Sequence, residues 1–203
     1  MKYPKTDGKA KRIIRSGVPY QGDRLAAALP FLRGRRRALD IGAHIGLWAV
    51  QLAPVFAKVA CFEPHRASAA ALCENVADLE NVETWEAAVG DVLGVRGLVQ
   101  DGLAAHLDDD GPMKVSVVRL DDICERYGWD DVDFIKMDVE GFEYFVLLGG
   151  EKMIRAQRPV IVLEQKHDGR YGVDKLAAIS LLQRWGATLE WRMKHDYCLR
   201  WKR

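Results

Sequence analysis

The chain has 203 residues, of which 49% are hydrophobic and 29% charged. That is the make-up of a globular protein with one substantial core, and we expect a single domain over residues 1–203. No apolar run approaches the roughly 20 residues that span a bilayer, and the opening Met1-Lys2-Tyr3-Pro4-Lys5 lacks the apolar stretch of a secretion signal, so a cytoplasmic protein without a membrane partner is expected. Cys61, Cys73, Cys124 and Cys198 show no C-x-x-C spacing, which favours reduced thiols over a metal site or disulfides.

The net charge of +1 hides an uneven distribution. Lys2, Lys5, Lys9, Lys11, Arg12, Arg15, Arg24, Arg33, Arg35, Arg36 and Arg37 all precede position 38, against only Asp7 and Asp23. Residues 1–20 therefore read as a basic arm, either a solvated terminus or a handle for nucleic acid, whose order depends on what it packs against. Leu25, Ala28, Leu29 and Leu32 have helical spacing, and Arg37 to Ile41 reads as the first strand. A crossover helix over Ile45 to Ala53 ends at Pro54, and Lys58 to Phe62 reads as a buried strand closing on Glu63-Pro64.

An alanine-rich helix follows from Arg66 to Ala77, then a third strand over Val82 to Val89 and a turn at Gly90-Asp91. The pattern weakens from Val92 to Asp110. Val95 to Gln100 and Lys114 to Arg119 read as strands able to pair as a peripheral insertion. A helix runs from Leu120 to about Tyr127, a fourth main strand from Val132 to Met137, a helix interrupted at Gly149-Gly150 from Glu143 to Ala156, and a fifth strand from Pro159 to Leu163 that ends at Glu164. Asp174 to Trp185 is the last helix. Ala187 to Met193 and Tyr197 to Lys202 are joined only by Lys194-His195-Asp196, too short for a parallel crossover, so they must form an antiparallel hairpin.

The chemistry starts at Leu39-Asp40-Ile41-Gly42-Ala43-His44-Ile45-Gly46. A strand running into two glycines and an apolar segment reads as a nucleotide-binding corner, with backbone open to close approach at Gly42. The G-x-G-x-x-G spacing of dinucleotide sites is missing, which places a pyridine-dinucleotide enzyme far down the order. Glu63, about 20 positions on, suits a ribose diol.

These features together resemble the class I S-adenosylmethionine-dependent methyltransferase fold: an α/β, Rossmann-like sheet, mostly parallel with a C-terminal antiparallel hairpin and helices on both faces. The likeness extends to the FkbM family over roughly residues 38–165, through the corner, Phe62-Glu63-Pro64, Leu120-Asp121-Asp122 and above all Asp133-Phe134-Ile135-Lys136-Met137-Asp138-Val139-Glu140-Gly141-Phe142-Glu143. His44 departs from the asparagine common at that position. The resemblance implies S-adenosyl-L-methionine as methyl donor and a hydroxyl on a sugar, glycan or other small molecule as acceptor.

It further implies that Asp40, Gly42, Ala43, His44 and Gly46 hold the methionine end, that Glu63 beside Pro64 accepts from the ribose hydroxyls, and that Ala88 or Asp91 flanks adenine. Asp40 is assigned to orienting the turn or the amino group. A hydroxyl acceptor also needs a general base. Asp138 is the first candidate, with Glu140 and Glu164 at neighbouring strand ends and His167 just after; bracing of the turn by Asp138 and Glu140 is the competing role. Two carboxylates can also hold a divalent ion, but no full ligand set is legible. Lys136 is expected to pair with a carboxylate, and His195 to lie on the surface.

Two further readings stay open. In one, an RNA ribose 2'-O-methyltransferase assembles an arm lysine, Asp138, Lys166 and Glu190. In the other, the chain is a non-catalytic S-adenosylmethionine-binding accessory protein. The arm and the loops at 90–113 and 165–173 are the only spare material around the cofactor mouth.

Overall fold

All five residues from Arg37 to Ile41 are buried, and they form an interior strand of the main sheet, paired on both sides. The computed structural model describes every residue except Lys5, Thr6, Gly102, Leu103, His167, Asp168 and Arg203. In chain order its elements are α1 (Gly8–Ser16), α2 (Gly22–Ala28), a short 3-10 turn at Leu29–Phe31, β1 (Arg37–Ile41), α3 (Ala49–Leu52), β2 (Lys58–Phe62), α4 (Arg66–Val76), β3 (Val82–Trp85) and β4 (Ala88–Val89). There follow β5 (Gly94–Asp101), β6 (Ala104–Leu107), β7 (Met113–Val118), α5 (Leu120–Tyr127), β8 (Val132–Met137), α6 (Glu143–Gly149), α7 (Glu151–Gln157), β9 (Val160–Glu164), α8 (Ala177–Arg184), β10 (Thr188–Met193) and β11 (Asp196–Arg200).

The main sheet has seven strands in the order β10-β11-β9-β8-β1-β2-β3. Strands β9, β8, β1, β2 and β3 run parallel, and β11 reverses against both β9 and β10. Strands covered on both faces need apolar residues throughout, and alternate residues divide between two cores. Leu39, Ile41, Phe62, Ile135 and Leu163 enter one core, while Ala38, Val59, Cys61, Phe134 and Val162 enter the other. The chain order reverses between β1 and β8, so the carboxyl ends of these two strands flank the crevice where open α/β sheets bind ligands.

Several elements differ from the sequence expectation. Val82 to Val89 is not one strand: a tight turn, with the Ala87 amide donating to Trp85 O at 2.9 Å, leaves β3 in the main sheet and sends β4 to a second one of order β4-β7-β5-β6. The peripheral pair expected here is present as antiparallel β5 and β7, and β6 adds a strand that periodicity did not reveal. The crossover helix shrinks to Ala49–Leu52 because His44 and Gly46 have φ of 52° and 87°, outside helical geometry. The arm carries α1, capped by Asp7, with Ala10 buried against Ile45 and Ala71.

Gly42 shows why the corner needs its glycine. Its φ is +78°, and a Cβ there would sit 1.9 Å from Asp138 O, because the loop after β8 crosses directly over the loop after β1. Gly42→Ala should therefore destabilise the fold by about 2–4 kcal/mol, combining left-handed strain with overpacking against rigid backbone. Urea unfolding checks this, and an unchanged midpoint would contradict the close approach.

Candidate active site

The carboxyl ends of β1, β2 and β8 form the floor of a cleft holding about 1300 Å³ between protein atoms, its open mouth included. Ala87, Ala88 and Val89 line one side with residues of β5 and β6, and α1 lines the other through Asp7, Ala10 and Ile13. The floor is carboxylate-rich.

Glu63 ties the corner together. Its Oε2 accepts the His44 amide at 2.8 Å and its Oε1 accepts the His65 amide at 2.8 Å, so one side chain fixes the loops after β1 and β2. Burial pushes its carboxyl up to about 7, against the pull of those two amides. Asp40, equally buried, is also pushed up to about 7 by desolvation; Lys136 opposes the shift and Asp138 adds to it. Its Oδ2 has no hydrogen-bond partner among the described residues, although Asp40 lines the cleft. An orphaned buried acceptor on a cleft wall fits a donor or cationic ligand group.

At the other end of the floor, Lys136 is only 1% exposed inside β8. Its ammonium donates to Met137 O at 3.1 Å, lies 3.9 Å from Asp138 Oδ2 and stands over the Trp48 ring. This is the carboxylate pairing expected of it. Glu164 faces Asp138 closely enough to share a side-chain hydrogen bond; burial first, and then the Asp138 charge, push the Glu164 carboxyl up to about 7. Lys166 Nζ bridges Glu164 Oε2 at 2.7 Å and Glu140 Oε2 at 3.1 Å. Burial works against the Lys166 charge, but Asp138, Glu164 and Glu140 outweigh it and raise its pKa.

Tyr20 reaches this basin from the arm. Burial above all, then Asp138, Glu164 and Asp196, raise its phenol. The turn that carries it is anchored: Gln51 Nε2 donates to Tyr20 O at 2.9 Å, Trp48 Nε1 donates to Gln21 Oε1 at 2.8 Å, and Arg24 Nε donates to Asp196 Oδ2 at 3.1 Å.

Of the residues singled out from sequence, Asp40, Gly42, Ala43, His44, Glu63, Pro64, Ala88, Asp138 and Glu140 all line the cleft. Glu164 joins them through Asp138 and Lys166. Two do not. Gly46 turns toward α4, where a Cβ would lie 2.8 Å from Leu72 Cδ1, and Asp91 abuts Gly149 at the break between α6 and α7. Of the set of arm lysine, Asp138, Lys166 and Glu190, Glu190 pairs with Arg200 across the terminal hairpin at 2.9 Å, while Lys166 bridges Glu164 and Glu140. His195 is exposed, and His167 lies outside the described residues. Sequence reasoning missed Tyr20, the Asp7–His44 pair and the cleft-facing Gln100 and His106 of β5 and β6; a lone tyrosine after Pro19 and a weakly patterned segment carried no signal. Among the described residues, no group of three or more His, Cys, Asp or Glu side chains has the arrangement of a metal site. No helix among them is long and apolar enough to cross a membrane.

A parallel sheet closed by a reversed strand, with its cleft at the switch point and a carboxylate ending β2, defines the class I methyltransferase architecture. The family model of the methyltransferase FkbM domain matches residues 40–194, and the chain belongs to that family. The 2-O-methyltransferase NoeI of Sinorhizobium fredii (strain NBRC 101917 / NGR234) is 34% identical over 145 residues, a match covering 59% of this chain and 59% of that relative. The chain thus spans well under two thirds of the curated relative it matches. Among solved structures, the methyltransferase FkbM from Methylobacillus flagellatus KT superposes with a TM-score of 0.58 at 22% identity, covering 82% of this chain and 43% of that one. A methyltransferase from Geobacter sulfurreducens superposes with a TM-score of 0.55 at 15% identity, covering 100% and 90%. At these identities the superpositions speak for the fold.

The family implies S-adenosylmethionine, and the cleft fits it: Asp40 offers an unused acceptor and Glu63 a buried carboxylate on the cleft wall. The buried acids also set the pH response of the unliganded protein. Asp40, Glu63 and Glu143 have folded pKa values near 7, above their unfolded values of 3.8, 4.5 and 4.5, so between these limits the folded state binds more protons than the unfolded one. Their stabilising effect is complete below the unfolded values and is lost as pH rises through about 7. Thermal melts of the unliganded protein should show the midpoint falling from about pH 5 to about pH 7.5; a flat or rising midpoint would contradict the protonated burial of these acids.

Proposed function

We propose that this protein is an S-adenosylmethionine-dependent O-methyltransferase acting on a hydroxyl of a sugar, glycan or other polyhydroxylated small molecule. The observation that carries the reading is the Asp138–Glu164 carboxyl pair, close enough for a side-chain hydrogen bond and bordered by Lys136 and Lys166, at the end of the strand next to the Asp40–Glu63 corner. The curated relative's name, which specifies transfer to a 2-oxygen, supports methyl transfer to oxygen. Residues 1–203 are taken as one methyltransferase domain working in the cytoplasm.

In this reading Glu63 accepts from the ribose hydroxyls while keeping its two backbone amides, and Asp40 Oδ2 accepts from the amino group of the methionine end. Pro64 and Ala88 flank the adenine. When bound, the cofactor supplies an electrophilic methyl group. The chain's own part is to hold the acceptor hydroxyl and take up its proton. Asp138 is the base, and Glu164, whose carboxyl is pushed up to about 7 by burial and the Asp138 charge, stands within side-chain hydrogen-bond reach of it. Lys166 keeps Glu140 and Glu164 drawn together beside it. Carboxylates and amines at close quarters can bind vicinal hydroxyls through several hydrogen bonds at once, which favours a polyol acceptor.

A second reading has its own support: Lys11, Arg12 and Arg15 of α1 are exposed next to the cleft. A nucleic-acid acceptor would bind there with strong salt dependence, and affinity for single-stranded RNA that falls steeply between about 50 and 200 mM salt and disappears when these three become Ala would favour it. Turnover with no acceptor of any kind, despite cofactor binding, would favour an accessory protein.

Two substitutions separate binding from chemistry. Glu63→Gln should weaken S-adenosylhomocysteine binding in calorimetry by about 1–3 kcal/mol, the cost of losing charge-assisted hydrogen bonds. Asp138→Asn should keep that affinity within about threefold while methyl transfer falls by about 10²-fold or more, the usual scale for loss of a general base. Unchanged affinity in the first overturns the ribose assignment, and unchanged transfer in the second removes Asp138 as the base.

A further inference from the structure

The basic arm is fastened to the body at two separated places. Asn75 Nδ2 donates to Lys2 O at 2.8 Å and also to Ile45 O at 2.9 Å, and the turn at Tyr20 and Gln21 is held by Gln51 and Trp48. Between these moorings lies α1, nine residues long, a length at which an isolated helix is marginal in water. Its apolar anchorage is modest: Ala10 and Ile14 pack with Ile45, Leu47 and Ala71 in a cluster separate from both main cores. Yet Asp7, its N-cap, is only 5% exposed. Asp7 Oδ1 accepts the Ala10 amide at 2.8 Å, and Asp7 Oδ2 lies 2.8 Å from His44 Nε2.

His44 is an unusual partner. It sits in the glycine corner with a φ of 52°, a conformation that costs a residue with a Cβ free energy, and its own amide is one of the two that Glu63 accepts. The residue that carries the corner's link to Glu63 thus also carries its link to the arm. Residues of α1 and its cap then form part of the cleft wall.

We propose that α1 and its cap are a wall of the cofactor site, and that the Asp7–His44 pair is the positioning contact that holds this wall against the glycine corner. The proposal rests on the cofactor reading above and goes beyond it, since it assigns the arm to the small-molecule site and gives a role to the His44 side chain in the corner. With the wall in place, a ligand in the cleft is covered on the α1 side and leaves only after the pair parts. The modest apolar contact makes that opening a local event that does not require the sheet to unfold.

The test is the rate at which S-adenosylhomocysteine leaves, followed in stopped flow by the fluorescence of cleft-lining Trp48 in the full chain. Asp7→Ser keeps an N-cap but cannot reach His44, and His44→Asn keeps a residue tolerant of positive φ while removing the imidazole. Each should raise the dissociation rate at least fivefold, and the double variant should go no more than twofold beyond the larger single effect, because both remove one interaction. Ile14→Ser, which loosens the same wall without touching the pair, should also speed release. Hydrogen exchange of the α1 amides in the unliganded protein should quicken in all three single variants. Dissociation rates within twofold of wild type in Asp7→Ser and His44→Asn, or fully additive effects, would overturn the wall. Failure of the wild type to bind S-adenosylhomocysteine at all would overturn the cofactor reading itself, and this proposal with it.

Discussion

The acceptance of two backbone amides by Glu63 is the interaction on which the rest of the site depends. One buried carboxylate joins the loop after β1 to the loop after β2, and the loop after β1 is pressed against the β8 loop where Gly42 meets Asp138 O. Three strand ends are thereby fixed within one corner. Gly42 can serve there only because it has no Cβ, and His44 accepts a left-handed backbone because Glu63 and Asp7 both hold it. A strained residue persists where its surroundings over-determine it, and that is the situation at His44.

Electrostatics divides the cleft in two. At the corner, Asp40 and Glu63 are desolvated acids whose charge is disfavoured until something donates to them. Across β8, Asp138, Glu140 and Glu164 are interleaved with Lys136 and Lys166, so negative charge is balanced within the protein. In the proposed reading the first half waits for a cofactor, and the second is prepared for a proton. The two halves touch through Lys136, which opposes the upward shift at Asp40 while lying near Asp138.

Much of the fold was legible because its strands are short, apolar and bounded by sharp signals. Arg37–Ile41, Lys58–Phe62 and Val132–Met137 follow directly from such runs, and the three-residue link before the last strand required the antiparallel closure that the sheet has. The second sheet was only half visible: β5 and β7 alternate weakly, β6 not at all, and the break between β3 and β4 is made by a turn hydrogen bond rather than by a glycine or proline. The crossover helix was overestimated because apolar spacing continues through Ile45 and Leu47 while positive φ at His44 and Gly46 bends the chain away. Among site residues, those tied to strand ends were readable from local sequence. Tyr20 and Asp7 were not, since their roles come from long-range approach as the arm folds back over the corner; Lys166 was named only within the nucleic-acid set, and its bridge between Glu140 and Glu164 was not foreseen.

The central claim is that the buried acids at the corner are there to receive hydrogen-bond donors from a cofactor. Calorimetric titration with S-adenosylhomocysteine near pH 6.5, in two buffers of different ionisation enthalpy, tests it most directly. Donors arriving at Asp40 and Glu63 would favour their ionised forms, so binding is predicted to release protons to the buffer. Absence of binding, or binding with proton uptake, would contradict the account.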